Sequence, residues 1–154
     1  MSPAPVRFHD PRATVDDFAS SMLVRCPRCD RLAHFERRPC TPPDAEGMRY
    51  PHTRLVCRSC GLCRIGTGPS HGPWPALWLR TGTRHGELWA YNLQHLDLIR
   101  RFVAADLRER VPWYDHGRKM TLVARLPAWM KNAKNRDEML RAVDRLRATV
   151  IAPG

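Results

Sequence analysis

Four of the six cysteines in this 154-residue chain fall into two close pairs, Cys26-Pro27-Arg28-Cys29 and Cys57-Arg58-Ser59-Cys60. A two-residue gap lets one tight turn aim two sulfurs at a single point. Two such turns complete a tetrahedral shell of thiolates ~2.3 Å from a zinc ion. Asp30 follows the first pair and Gly61 the second. Glycine enters positive φ at no steric cost and aspartate at a modest one, which suits a turn that points backbone amides at the sulfurs. The 27 residues between the pairs exceed the usual ~15 to 20, and Pro39, Pro42, Pro43 and Gly47 mark an exposed loop that absorbs the excess. Protein fills all four coordination positions, so no place is left for water. The spacing therefore predicts one structural Zn²⁺ held by Cys26, Cys29, Cys57 and Cys60.

The competing reading of Cys26-Pro27-Arg28-Cys29 is a thioredoxin-like redox dithiol. That chemistry needs the pair at the start of a long helix after a strand. Here Pro39 stops any helix within about ten residues and a second pair follows downstream, so metal binding is the better account. Cys63 reads as a small buried apolar residue of a strand and Cys40 as a loop thiol. His52, His71 and His85 sit near glycine or proline, where an exposed polar residue is expected. There is no nucleophile elbow, no phosphate loop of the Gly-x-x-x-x-Gly-Lys type and no His-Glu-x-x-His motif. The acidic residues are interleaved with arginines on helix faces. The expectation is a protein without catalytic residues and without a small-molecule substrate.

Lysine and arginine number 26 against 15 acidic residues, a formal charge of +11. Four thiolates around a divalent ion carry −2, which lowers this to about +9. Such an excess favours a polyanion such as DNA or RNA, or an acidic protein surface. The bases are spread out, with no run of five like charges, and only three are lysines. The N-terminus lacks the order of a secretory signal, and no apolar run approaches the ~18 to 20 residues of a membrane span. These features predict a cytoplasmic protein with no membrane partner.

The elements that must position the cysteines follow from periodicity. Residues 1–21 read as a loosely held arm. Residues 22–68 form the metal-binding unit, in which Met22-Leu23-Val24-Arg25 and Leu55-Val56 are short strands entering the two turns. The Gly- and Pro-rich stretch 67–75 is a linker. Residues 69–154 form a second lobe packed with the first. It opens with a β-hairpin whose arms are 76–80 and 87–91. Asn92 caps a helix to about Arg110 with Leu93, Leu96, Ile99, Val103 and Leu107 as its apolar stripe, and Asp97 and Arg101 form an acid-first helical pair on the other face. Residues 120–126 read as extended, and Pro127 as the first position of a short helix carrying Trp129 and Met130. Asn135 and Glu138 resemble a capping box opening a helix to about Thr149, striped by Met139, Val143, Leu146 and Val150. Trp74, Trp78, Trp89 and Trp113 read as core or hairpin packing in preference to base-stacking platforms. The fold class is α+β: an N-terminal zinc ribbon, then a β-hairpin and two or three helices.

From about residue 22 to 147 the chain resembles small bacterial proteins containing a zinc ribbon of the transcription-factor-IIB type. The resemblance is carried by the two cysteine turns with Gly61, by Leu88-Trp89-Ala90-Tyr91-Asn92-x-x-His95-Leu96, and by Leu126-Pro127-x-Trp129-Met130-Lys131-x-Ala133-Lys134-Asn135-Arg136. It implies the metal-binding shape and no particular activity. Members of that group can carry cysteines in the hairpin turn. Residues 81–86 have none, so no second metal site is implied. Arginines flanking the metal turns, Arg28, Arg31, Arg58 and Arg64, and the bases Lys131, Lys134 and Arg136 near a helix start are the candidate phosphate contacts. The leading functional expectation is a non-enzymatic nucleic-acid-binding accessory factor. The alternative is an adaptor whose ribbon docks on a protein of a larger complex.

Overall fold

The computed structural model describes residues 2–38, 52–67, 75–109 and 121–151. Its elements run β1 (Arg7–His9), α1 (Val15–Phe18), β2 (Ser21–Arg25), β3 (Leu32–Arg38), β4 (His52–Val56), β5 (Cys63–Thr67), β6 (Arg80–Thr83), β7 (Gly86–Trp89), α2 (Leu93–Ala104), β8 (Leu107–Glu109), α3 (Ala128–Lys131), a 3₁₀ turn (Ala133–Asn135) and α4 (Arg136–Ile151). It is a mixed α and β structure with antiparallel sheets. No helix among the described residues is long and apolar enough to cross a membrane. The proline-rich loop, Cys40, His71, Trp74, Trp113 and most of the expected linker lie outside the described residues.

The cysteine-bearing half is a four-stranded antiparallel sheet in the order β2-β3-β4-β5. Alternation sets its faces. Met22 opposes Phe35, and Phe35 opposes Leu55, so these three buried side chains line one face with Val24 and Ala33. Leu23 points the other way and is buried in the second core. Three consecutive apolar residues are what a strand needs when both of its faces are covered. The outer edge of β2 is covered too. The Leu23 N–H donates to the Tyr91 carbonyl at 2.8 Å, the Trp78 N–H to the Leu23 carbonyl at 2.9 Å, and the Arg25 N–H to the Ala76 carbonyl at 2.8 Å. Leu77 bridges Val24. Residues 76–78, expected in the hairpin, instead seal this edge and join the two cores.

The second core gathers Leu79 and Leu88 of the hairpin, Leu96, Ile99 and Val103 of α2, and Met139, Val143 and Leu146 of α4. These are the stripes that periodicity predicts. The hairpin closes more tightly than expected, with Thr83 paired to Gly86 around Arg84 and His85. The Trp129 ring packs against Gly86, whose φ is 153° and where a Cβ would meet the ring at 3.1 Å. Glu138 of α4 takes Arg84 of the turn at 2.7 Å. The Asp97–Arg101 pair forms at 3.0 Å.

Four expectations need correction. Residues 7–18 are not a loose arm: β1 pairs parallel with β8, and buried Phe8 meets Phe102 edge to face at 5.4 Å. Long-range pairing supplies what local periodicity could not show. Helix α2 stops at Ala104, because Ala105 is extended and the chain turns into β8, leaving Leu107 45% exposed. Residues 121–126 form turns, with the Arg125 N–H donating to the Thr121 carbonyl at 3.2 Å and Leu122 and Val123 buried. Asn135 does not cap α4. It is buried and donates to the Trp129 carbonyl at 3.0 Å, while Asn132 accepts from the Lys134 N–H at the 3₁₀ turn.

Asn92 and His95 tie the halves together. Asn92 caps α2 by accepting the His95 N–H at 2.9 Å, and its Nδ2 donates to the Ser21 and Phe18 carbonyls at 2.8 and 3.1 Å. His95 Nδ1 accepts the Tyr91 N–H at 3.2 Å, which fixes the proton on Nε2 in the neutral ring. The ring stacks on Phe18 at 5.2 Å, and burial pushes its pKa down to about 4. Asn92→Ala should cost about 2–3 kcal/mol of unfolding free energy in urea, from the lost cap and the two carbonyls left without a donor. Asn92→Asp, which keeps only the cap, should fall between the two. Neutral His95 stabilises the fold fully above the unfolded pKa of 6.5. That contribution, on the order of 3 kcal/mol, is lost as pH falls toward about 4, because the unfolded chain takes up the proton first. The His95 ring resonances should stay flat from neutral pH to about pH 5; a midpoint above 6 would contradict this.

Candidate metal centre

Each cysteine pair sits where a strand ends in a turn, and the two turns are near copies. After β2, the Asp30 N–H donates to the Cys26 carbonyl at 2.9 Å and the Cys26 N–H to the Arg31 carbonyl at 2.7 Å. After β4, the Gly61 N–H donates to the Cys57 carbonyl at 3.0 Å and the Cys57 N–H to the Leu62 carbonyl at 2.8 Å. The turns reverse through left-handed residues at the same place, Asp30 with φ 59° and Gly61 with φ 73°. Backbone amides are thereby turned toward sulfur, the Arg28 N–H lying 3.4 Å from Cys26 Sγ.

The strand order β2-β3-β4 brings the two turns to one end of the sheet. Cys26 Sγ lies 3.7 Å from Cys60 Sγ and Cys29 Sγ 3.6 Å from Cys57 Sγ, and all four sulfurs lie within 4.8 Å of one another. A disulfide needs ~2.05 Å. Thiolates at ~2.3 Å from a tetrahedral centre stand about 3.8 Å apart. The four cysteines could therefore hold a metal ion, and their spacing is compatible with one zinc. Cys26 and Cys57 are buried, Cys29 and Cys60 half-buried.

Electrostatics shows what a cation would do there. The Cys60 amide, ahead of the other causes, holds the Cys57 thiol down at about 6. For Cys29 the Arg31 amide pulls down, but burial and the hydrogen bonds shared with Cys57, Cys26 and Cys60 outweigh it and push the thiol up to about 12. Neighbouring sulfurs resist sharing so much negative charge. A divalent ion at their centre lets all four ionise.

Cys63 is not buried as expected but exposed on β5, an edge strand of the sheet; His52 is exposed on β4, and His85 lies in the hairpin turn. None joins the cluster, and among the described residues no other group of His, Cys, Asp or Glu is placed to hold a metal. Arg28, Arg31, Arg58 and Arg64 are all exposed. The second set of bases is not gathered into one free patch. Arg136 reaches back to Asp106 at 2.7 Å and to the Ala105 carbonyl at 3.0 Å, and Lys131 donates to the Ala124 carbonyl at 2.8 Å. Asp137 and Glu138 occupy the first turn of α4, where they already offset its positive end. Only Lys134 of the three points clear of such contacts.

A cleft of about 510 Å³ has Phe18, Leu93, Val143, Ile151, Arg100, Arg101 and Arg147 among its lining residues and none of the four clustered cysteines. A smaller one, about 250 Å³, is lined by Leu77, Arg80, Glu87, Trp89 and Tyr91. Trp89 packs on Tyr91 and His95, as its reading as hairpin packing predicts. Its alternation with Leu88 on β7 was the available signal that it faces outward.

No family model, curated protein or solved structure matches this chain.

The left-handed turn residues yield paired expectations. At Gly61 a Cβ would meet nothing within 4 Å, so Gly61→Ala should cost only the backbone penalty, about 1–2 kcal/mol. Asp30→Gly removes that strain and, as the Arg25–Asp30 pair is exposed, should be neutral or stabilising. Urea unfolding of the metal-loaded variants checks both signs.

Proposed function

We propose that the chain is a zinc-ribbon protein in which one structural Zn²⁺ clasps the four-stranded sheet, and that it serves as a non-enzymatic nucleic-acid-binding accessory factor. The observation that carries the metal reading is the cluster of four sulfurs at tetrahedral spacing. With four protein ligands and two of them buried, the ion has no open position for substrate or water, so its role is to hold the fold. Freshly purified protein should contain one zinc per chain. Metal binding in small ribbons contributes ~10 to 16 kcal/mol, so Cys57→Ser should lose the ion and the amide protection of β2 to β5. A variant with unchanged zinc content and protection would contradict the assignment.

The nucleic-acid reading is supported by the formal charge of +11 and by the four exposed arginines at and beside the metal turns. Arginine donors on a rigid turn meet phosphate oxygens without reading bases. Affinity for generic DNA or RNA should fall steeply between about 50 and 200 mM salt, with log affinity linear in log salt. Arg28→Ala with Arg58→Ala should flatten that slope. One observation favours a protein adaptor instead: Ile65 is 73% exposed on β5, an edge strand with no further strand paired to it among the described residues, and an open edge can add a partner strand. Absence of nucleic-acid binding even at about 50 mM salt, in the range where phosphate contacts are strongest, would favour that reading.

A further inference from the structure

The 250 Å³ cleft opens where the hairpin meets the sealed edge of the cysteine-bearing sheet. Strand alternation builds its wall. Arg80 stands opposite Trp89 in the β6–β7 register, and Glu87 lies two residues before Trp89, so the three share the outer face of the hairpin while Leu88 is buried behind them. Trp89 keeps 37% of its surface exposed. Its indole is braced by two rings set nearly perpendicular to it, Tyr91 at 5.1 Å and His95 at 5.8 Å. A braced, half-open indole is a fixed aromatic surface, with little side-chain entropy left to lose on stacking.

The polar groups decide what that surface suits. Arg80 and Glu87 are ion-paired across the same face, placing a guanidinium fork and a carboxylate beside the indole. A quaternary ammonium would be attracted to the rings, but here it would meet the Arg80 charge and find Glu87 already neutralised. A neutral planar heterocycle with donors and acceptors on its edge meets no such penalty. The cleft is smaller than the ~300–1,000 Å³ of drug-sized sites, which fits a single ring system. Leu77 and Tyr91 also pack against the core that includes Cys26 and Cys57, and the turns that follow these cysteines carry exposed Arg28 and Arg58. A phosphate backbone leaving the cleft therefore has arginines on the same packed unit.

We propose that this cleft seats one unpaired base of a single-stranded nucleic acid, stacked on Trp89 with its polar edge toward Arg80 and Glu87. This rests on the nucleic-acid reading above and narrows it from generic phosphate contact to single strands. The test is fluorescence anisotropy of the full, zinc-loaded chain with a labelled twelve-nucleotide oligo-dT and a duplex of equal length at low salt. Base stacking on an aromatic is lost as roughly a 5- to 100-fold drop in affinity on alanine substitution. Trp89→Ala should weaken oligo-dT binding by that factor and leave duplex binding and the salt slope unchanged, with Trp89→Phe recovering part of the loss. Should Trp89→Ala lose its zinc or its secondary structure, photocross-linking of 5-iodouracil oligonucleotide to the wild-type chain decides, the adduct being expected on Trp89 or Tyr91. Equal oligo-dT affinity in a folded Trp89→Ala variant, or cross-links confined elsewhere, would overturn the base cleft while leaving the basic-surface reading intact. Loss of both oligonucleotide and duplex binding in the wild-type chain would overturn both. Tryptophan quenching by tetramethylammonium that Trp89→Ala abolishes, with no change in oligo-dT binding, would make the corner a cation cage and also overturn the proposal.

Discussion

Everything in the first half of this structure converges on four sulfur atoms within 4.8 Å of one another. Four thiolates so close would repel strongly, and a cation at their centre would let all four ionise together. The sheet around them is thinly supplied with apolar side chains: Met22, Val24, Ala33, Phe35, Leu55 and Leu62 are its buried members besides two of the cysteines. A core that small is marginal by itself. A metal ion bound by the four cysteines would add a cross-link that burial does not supply, joining the ends of β2 and β4, two strands whose turns lie 27 residues apart in sequence.

The second half is built differently, and the junction shows how the two depend on each other. Helices α2 and α4 pack their apolar stripes against the hairpin around Leu79 and Leu88, as amphipathic elements of a larger core do. Strand β2 belongs to both cores, with Met22 and Val24 facing the cysteine side and Leu23 the helical side. Its outer edge is closed by Ala76, Trp78 and Tyr91, and Asn92 fastens the start of α2 to the carbonyls of Phe18 and Ser21. The segment Leu88 to Leu96 therefore positions the cysteine-bearing sheet as well as folding its own lobe. Arg136, similarly, is a fastening: with the Val6 amide foremost, it holds the Asp106 carboxylate below its usual range and so joins the N-terminal segment, the end of α2 and the start of α4.

Local chemistry was legible in the sequence where it is decided locally. The cysteine spacing, Gly61 and Asp30 foretold both turns, the Asn92 cap and the stripes of α2 and α4 followed from period 3.6, and the hairpin followed from two β-favouring runs. What was hidden depends on contacts distant along the chain. The α2 stripe continues to Leu107 in sequence, yet pairing of β8 with β1 ends the helix at Ala104. Asn135 and Glu138 have capping-box spacing, yet Glu138 turns to Arg84 and Asn135 to the Trp129 carbonyl. Among the candidate phosphate contacts, Arg136 and Lys131 have internal acceptors 31 and 7 residues away, which composition and helix position could not foretell. Trp89 reads as packing by residue type, and only its register opposite Arg80 shows that it borders a cleft.

X-ray absorption at the zinc edge reads directly which atoms surround a bound ion. Zinc held by the four cysteines gives a single shell of four sulfurs at about 2.3 Å with no nitrogen or oxygen scatterer. A shell containing light atoms, or no zinc signal from stoichiometrically pure protein, would contradict it.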